Sequence, residues 1–169
     1  MHMQFKYCPK CKSDMAGTVI ENEPRHACTN DTCDFVQYEN PTPVVAAIVE
    51  HEGDIILAHN KMWTQKFFGV ITGFLEKHEV PEPAMIREVK EELGLDAHSP
   101  TLIGHYQFEP MNQIIIAYHV YAEGEIVLGD ELDEYKRIPP DKLKGWPMGA
   151  GKAVTDWVNQ RNAEKAATE

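Results

Sequence analysis

Two rhythms organise the apolar positions. Val44-Val-Ala-Ala-Ile-Val49 is a continuous apolar run, and Asp54-Ile-Ile-Leu-Ala-His59 follows it after Glu52-Gly53. Short runs rich in β-branched residues, with a glycine turn between them, predict two strands. Residues 67–72 lead into the next segment. Residues 102–108 and 114–122 predict further strands, and Ile126-Val127-Leu128 a short one. The second rhythm is helical. From about Pro81 to Leu93 a spacing near 100° per residue puts Met85, Ile86, Val89 and Leu93 on one stripe. Pro81 and Pro83 are tolerated in a first turn, and Gly94 supplies a left-handed cap. Residues 150–167 predict a terminal helix with Ala153, Val154, Trp157 and Val158 on its buried side. No internal repeat or low-complexity tract is present.

The first forty residues follow neither rhythm and hold all four cysteines, as Cys8-Pro-Lys-Cys11 and Cys28-Thr-Asn-Asp-Thr-Cys33. Two close pairs on either side of a short spacer suit the knuckles of a zinc ribbon. Residues 18–21 and 25–27 suit the strands of a hairpin between them. A segment this small buries too little apolar surface to fold alone, so Zn²⁺ would supply its folding energy in a closed, structural site. Disulfides are the alternative and require an oxidising compartment, which nothing in the sequence suggests. His26, two residues before Cys28, is a further conceivable ligand, but a surface histidine on the hairpin is the simpler reading. Asn40-Pro41-Thr42-Pro43 reads as an extended connector. The expected organisation is therefore a ribbon over residues 1–39, a linker over 40–43 and a main domain over 44–169.

Charge narrows the partners. A formal net charge of −11 over 169 residues argues against a broad phosphate-binding face for nucleic acid. A small anionic substrate stays open, because a metal site inverts the local charge. No apolar run reaches membrane-spanning length, and Met1-His-Met-Gln-Phe-Lys6 lacks a signal-peptide core, so a soluble cytoplasmic protein is expected.

Glu88, Glu91 and Glu92 stand at i, i+3 and i+4 near the end of the first helix. Like charges at these spacings destabilise a helix, and the macrodipole disfavours them in its last turn. A solvated acidic face is the plain reading of the triplet. A hard divalent cation would instead turn repulsion into coordination, since Mg²⁺ and Mn²⁺ prefer carboxylate oxygen. Gly149-Ala-Gly-Lys152 lacks the glycine spacing and hydroxyl residue of a phosphate loop and reads as a helix entry.

The wider context decides between the two readings. Gly73, Glu79, Arg87, Glu88, Val89, Glu91, Glu92, Gly94 and Leu95 fill every specified position of G-x5-E-x7-R-E-U-x-E-E-x-G-U, where U is apolar. This stretch resembles the box of the Nudix hydrolases. The resemblance implies an α/β/α sandwich around a mixed sheet, and hydrolysis of a nucleoside diphosphate linked to another group. It implies that Glu88, Glu91 and Glu92 bind Mg²⁺ or Mn²⁺ together with the Gly73 carbonyl, while Arg87 and Glu79 form a supporting ion pair. Such cations neutralise a diphosphate and activate water. The family varies its general base between a helix glutamate and one on a later loop. Asp130-Glu131-Leu-Asp133-Glu134 reads as that loop, with Glu131 and Glu134 as candidates and an ordinary acidic turn as the alternative.

A cysteine ribbon ahead of such a domain, with Tyr38-Glu-Asn-Pro41-Thr-Pro43 at the junction, resembles the NADH pyrophosphatase branch. The branch signature S-Q-P-W-P-F-P-x-S is mostly absent from His105-Tyr-Gln-Phe-Glu-Pro-Met-Asn-Gln113, where only Pro110 matches. NAD(H), ADP-ribose, FAD and dinucleoside polyphosphates therefore all stay open as substrates. Tyr106, Phe108 and Met111 are candidates to flank a substrate ring, against the alternative that they are sheet core. A rival class is a nucleotide-sensing or RNA-contacting protein with an inactive fold, and removal of an NAD cap from RNA lies between the two. Homodimerisation is expected from the resemblance alone.

Overall fold

The computed structural model describes residues 4–168. Met1, His2, Met3 and Glu169 lie outside the described residues, and so does the part of the leader reading that falls on the first three. The chain divides into two compact units, one formed by Met1–Pro41 with Pro110–Asn112 and the other by Thr42–Glu109 with Gln113–Glu169.

In the first unit, β1 (Met15–Ile20) and β2 (Glu23–Cys28) form an antiparallel hairpin, and β3 (Val36–Gln37) adds to β2. Glu21 and Asn22 both have positive φ, at 53° and 65°, the turn geometry that matches strand twist in a two-residue hairpin.

The second unit is built around β4 (Thr42–His51), which takes in Thr42 and Pro43 from the expected connector. Its alternate residues face opposite ways. Val45, Ala47 and Val49 join one core and Val44, Ala46 and Ile48 another, which is why the run is apolar without interruption. β5 (Asp54–Asn60) follows through Glu52 and Gly53, both at positive φ, and β6 (Ile71–Phe74) returns antiparallel to the first half of β4. Then α1 (Pro81–Leu93) covers one face, and β7 (Asp96–Phe108) and β8 (Gln113–Glu123) complete that side of the sheet. β9 (Leu132–Ile138) pairs with β5 at the far edge, and α2 (Ala150–Thr168) covers the second face. The order β7-β8-β4-β5-β9, with β6 also on β4, is mixed because β4 and β8 run parallel. This is an α/β/α sandwich, as expected.

Three local readings are corrected. Residues 126–128 are not a strand. Val127 N–H donates to Leu93 O (2.9 Å) and Gly129 N–H to Glu92 O (2.9 Å), so this segment caps the last carbonyls of α1. Residues 130–134 are not one loop, since β9 starts at Leu132 and carries Asp133 and Glu134. Charged side chains are common on an edge strand and hide it from a hydrophobic pattern. β7 begins at Asp96 rather than 102. The strand bulges between His98 and Thr101 and resumes.

Candidate active site

Strand β6 and helix α1 fix the site through close packing. Met85, Val89 and Leu93 seat α1 on the sheet, and this turns Glu88 toward β6. The Glu88 carboxylate lies directly over the Gly73 Cα, where a Cβ would overlap it. Glycine is required at this position by close approach rather than by a left-handed backbone.

Arg87 organises the surroundings. Its Nε and Nη2 donate to the two oxygens of Glu79 at 2.9 and 2.9 Å, and Nη2 also donates to Phe74 O at 3.1 Å. Its Nη1 donates to Glu88 Oε1 (2.8 Å) and Glu91 Oε2 (3.0 Å). A bidentate pair of this kind gives geometric specificity as well as attraction, and here it ties the 74–79 loop to the helix. Hydrogen bonds from Arg87 first, and then from the Glu76 amide, hold Glu79 down to about 2.

The remaining acids are in tension. Burial pushes Glu92 up to about 8, with Glu88, Glu131 and Glu91 adding repulsion. Burial also raises Glu88, although Arg87 opposes it. Glu131 thus belongs to the same cluster as the box glutamates. It stands in the turn before β9, where Asn60 Nδ2 donates to its carboxylate (3.3 Å) and Lys61 N–H to its carbonyl (2.9 Å). Glu134 does not join the cluster: it pairs with Lys66 at 2.8 Å, on the strand opposite His59.

The donor set fits a hard divalent cation. Glu88, Glu91, Glu92 and Glu131 offer only carboxylate oxygen, and a cation would offset the desolvated, mutually repelling charge that raises Glu88 and Glu92. With Arg87 drawing on Glu88 and Glu91, their oxygens do not all converge. Among the described residues, the four cysteines are the group of potential ligands whose atoms all lie within 4.8 Å of one another.

In that cysteine group, Cys8 Sγ stands 3.7 Å from Cys33 Sγ and Cys11 Sγ 3.4 Å from Cys28 Sγ, with no disulfide. Metal–sulfur bonds of about 2.3 Å in a tetrahedron put sulfurs about 3.8 Å apart, so the cluster suits four-thiolate coordination. Hydrogen bonds from Ser13 first, and then from Cys28, lower Cys11 to about 6. His26 stays outside, its Nε2 bonded to Phe5 O at 2.9 Å.

The sequence matches the NUDIX domain over residues 40–157. The chain belongs to the Nudix family. It is 26% identical to a protein of Pseudomonas putida named NAD-capped RNA hydrolase NudC, over 92% of this chain and 55% of that protein. A protein of the same name from Stutzerimonas stutzeri is also 26% identical, over 85% of this chain and 51% of its own length. The chain thus spans about half the length of these relatives. Among solved structures, a NUDIX hydrolase from Nitrosomonas europaea superposes with a TM-score of 0.76 at 20% identity, covering 94% of this chain and 93% of its own. An ADP-ribose pyrophosphatase from Streptococcus suis superposes with a TM-score of 0.57 at 18% identity, covering 73% and 92%.

The residues expected to flank a substrate ring separate in this Nudix structure. Tyr106 lines a cavity of about 420 Å³ on the α2 face, and its hydroxyl donates to Asp156 Oδ2 at 2.7 Å. Burial, followed by that carboxylate, raises its pKa. Phe108 packs into the α2-side core, and Met111 is exposed in a 3₁₀ turn, grouped with the first unit. Two residues escaped sequence reading. Asn60 and Lys61 hold Glu131 in place, but they lie about seventy positions away, and only the β5–β9 pairing brings them close. No helix among the described residues is long and apolar enough to cross a membrane.

Proposed function

We propose that this protein hydrolyses the diphosphate bond of an NAD(H)- or ADP-ribose-type nucleotide and releases a nucleoside monophosphate. The observation that carries the reading is the mutual repulsion of Glu88, Glu91, Glu92 and Glu131, with Glu88 packed against Gly73, all the box carboxylates present and two of them desolvated. An inactive, nucleotide-sensing relative would have no need to keep four repelling acids together. The names of the Pseudomonas and Stutzerimonas relatives support an NAD-type diphosphate, whether free or as an RNA cap.

Glu88, Glu91 and Glu92 would hold Mg²⁺ or Mn²⁺ with the Gly73 carbonyl. When bound, the cation neutralises the diphosphate and acidifies the attacking water. Arg87 and Glu79 act as positioning residues: they fix the loop so that Gly73 and Glu88 stay in register. Glu131 is the general base in this reading, because it reaches the cluster and Glu134 is bound to Lys66. It takes a proton from water as the water oxygen bonds to phosphorus and the bridging P–O bond breaks. Little covalent chemistry is asked of the protein, and charge and alignment supply most of the effect. Cys8, Cys11, Cys28 and Cys33 would hold a structural Zn²⁺. A homodimer belongs to the same reading and is checked by light scattering.

The deciding experiment is a hydrolysis panel with Mg²⁺ or Mn²⁺ on NADH, NAD⁺, ADP-ribose, FAD and an RNA carrying a 5′ NAD cap. AMP released from the dinucleotides or ADP-ribose supports the reading. Turnover of none of them overturns it. Faster cleavage of capped RNA than of free NAD⁺ assigns the cap as the preferred form.

A further inference from the structure

The end of β5 does more than close the sheet. Ile56 and Ala58 belong to the core beneath α1, whereas Ile55 and Leu57 face α2. Alternation carries this division to the last residues of the strand. His59 lies with the rings of Trp63 and Phe68, and Asn60 lies on the side of the acidic cluster. The register with β9 slips at this point. His59 stands opposite Glu134 but Asn60 opposite Leu132, so Asp133 is the extra residue of a bulge. Its carboxylate turns to His59 Nδ1, 2.7 Å away. The bulge thereby sets Asn60 beside Glu131 rather than Asp133.

Two hydrogen bonds decide how the Asn60 amide is turned. Its Oδ1 accepts from Met62 N–H at 2.9 Å, which leaves Nδ2 to donate to Glu131 Oε2 at 3.3 Å. Trp63 N–H closes the same turn on Asn60 O at 3.0 Å. The neighbouring cations are engaged elsewhere. Lys61 Nζ donates to Asp130 O (2.6 Å), and Lys66 pairs with Glu134 (2.8 Å). Among the described residues, Asn60 is the one hydrogen-bond donor to the Glu131 carboxylate. A lysine ammonium in its place would neutralise the carboxylate and occupy its lone pairs. A neutral amide on one oxygen fixes the group and leaves the other oxygen free to take a proton.

We propose that Asn60 is a positioning residue for the hydrolysis, aiming Glu131 through an amide whose orientation Met62 sets. The assignment rests on the reading of Glu131 as general base. Asn60 transfers no proton itself and acts through Glu131 alone. Lys61 serves the same end from the other side, because its ammonium holds the Asp130 carbonyl and its N–H holds the Glu131 carbonyl (2.9 Å).

The test uses the full-length protein with saturating Mg²⁺ and with ADP-ribose and NADH as probes. Asn60→Ala, Asn60→Asp, Glu131→Gln and the double variant Asn60→Asp with Glu131→Gln are compared with the parent. Asn60→Asp keeps the acceptor for Met62 N–H, and so the turn, but sets a like charge against Glu131. It keeps the test open if Asn60→Ala disturbs the fold. In Asn60→Ala kcat is expected to fall about tenfold, a part of the ~10²–10⁴-fold that a general base supplies, with KM within about twofold. Asn60→Asp is expected to lose at least as much, and to add nothing once Glu131→Gln is present. A parent-like kcat in Asn60→Asp, or the same loss in both backgrounds, overturns the assignment. Parent-like turnover by Glu131→Gln instead removes the base reading, and the role of Asn60 falls with it. A second readout is the carboxyl ¹³C signal of Glu131, identified by its disappearance in Glu131→Gln. It is expected to move in Asn60→Ala, and an unmoved signal overturns the contact itself.

Discussion

At Gly73 there is no room for one methyl group. A Cβ there overlaps the Glu88 carboxylate, and either β6 or α1 must shift to admit it. Gly73→Ala is expected to lower kcat by about a hundredfold, with the far-ultraviolet dichroism unchanged. An activity within a few-fold of the parent would show that Glu88 need not lie against β6. The box residues were legible in the sequence because a single helix brings them together: spacing of 3.6 residues per turn places Glu88, Glu91 and Glu92 side by side, and Gly94 marks where they stop. Glu131 was legible only as one of two acids in an apparent loop. What separates it from Glu134 is a pairing between β5 and β9 that gives Glu134 to Lys66 and leaves Glu131 by Asn60.

Helix α1 depends on how it ends. Gly94 has φ 71°, and Val127 packs against the position of its missing side chain. Gly94→Ala combines a left-handed alanine with that contact and is expected to cost about 1–2 kcal/mol in denaturant unfolding. The same cap explains why Ile126-Val127-Leu128 looked like a strand. Ile126 and Leu128 are apolar because they pack against the α1 core, while the amides of Val127 and Gly129 serve the helix carbonyls. On the opposite face, His119 sits between Trp157 and Glu50, stacked on the indole with centres 5.0 Å apart and 3.0 Å from the carboxylate. Burial lowers its pKa, and Glu50 offsets this only in part. The folded state therefore binds fewer protons than the unfolded chain just below the ordinary histidine value. The neutral ring's contribution is full above about pH 6.5 and is lost as pH falls through the window beneath it. The denaturation midpoint should drop between pH 7 and pH 5.5, and His119→Gln should make that drop shallower. An unchanged slope would remove His119 as its source.

At the scale of the whole molecule, the two units draw on different sources of stability. The Nudix unit has two apolar cores, one on each face of β4, whereas Cys8 and Met15 are the buried apolar residues among the described part of the first forty. A strong chelator should abolish amide-exchange protection in β1 and β2 while leaving β4 and β8 protected. Protection that persists in the hairpin would mean that its fold does not need a metal. This division was visible early, because cysteine pairs and apolar runs occupy separate stretches of sequence. The placement of Trp146 against Phe67 was not, since the two rings meet at 5.2 Å from positions nearly eighty residues apart. The account as a whole rests on the acidic cluster acting as a cation site for a diphosphate. The most direct measurement is kcat of Glu92→Gln on NADH or ADP-ribose at saturating Mg²⁺, beside a check of fold and zinc content. The account predicts a loss of about a hundredfold or more with both retained. Turnover close to that of the parent would contradict it.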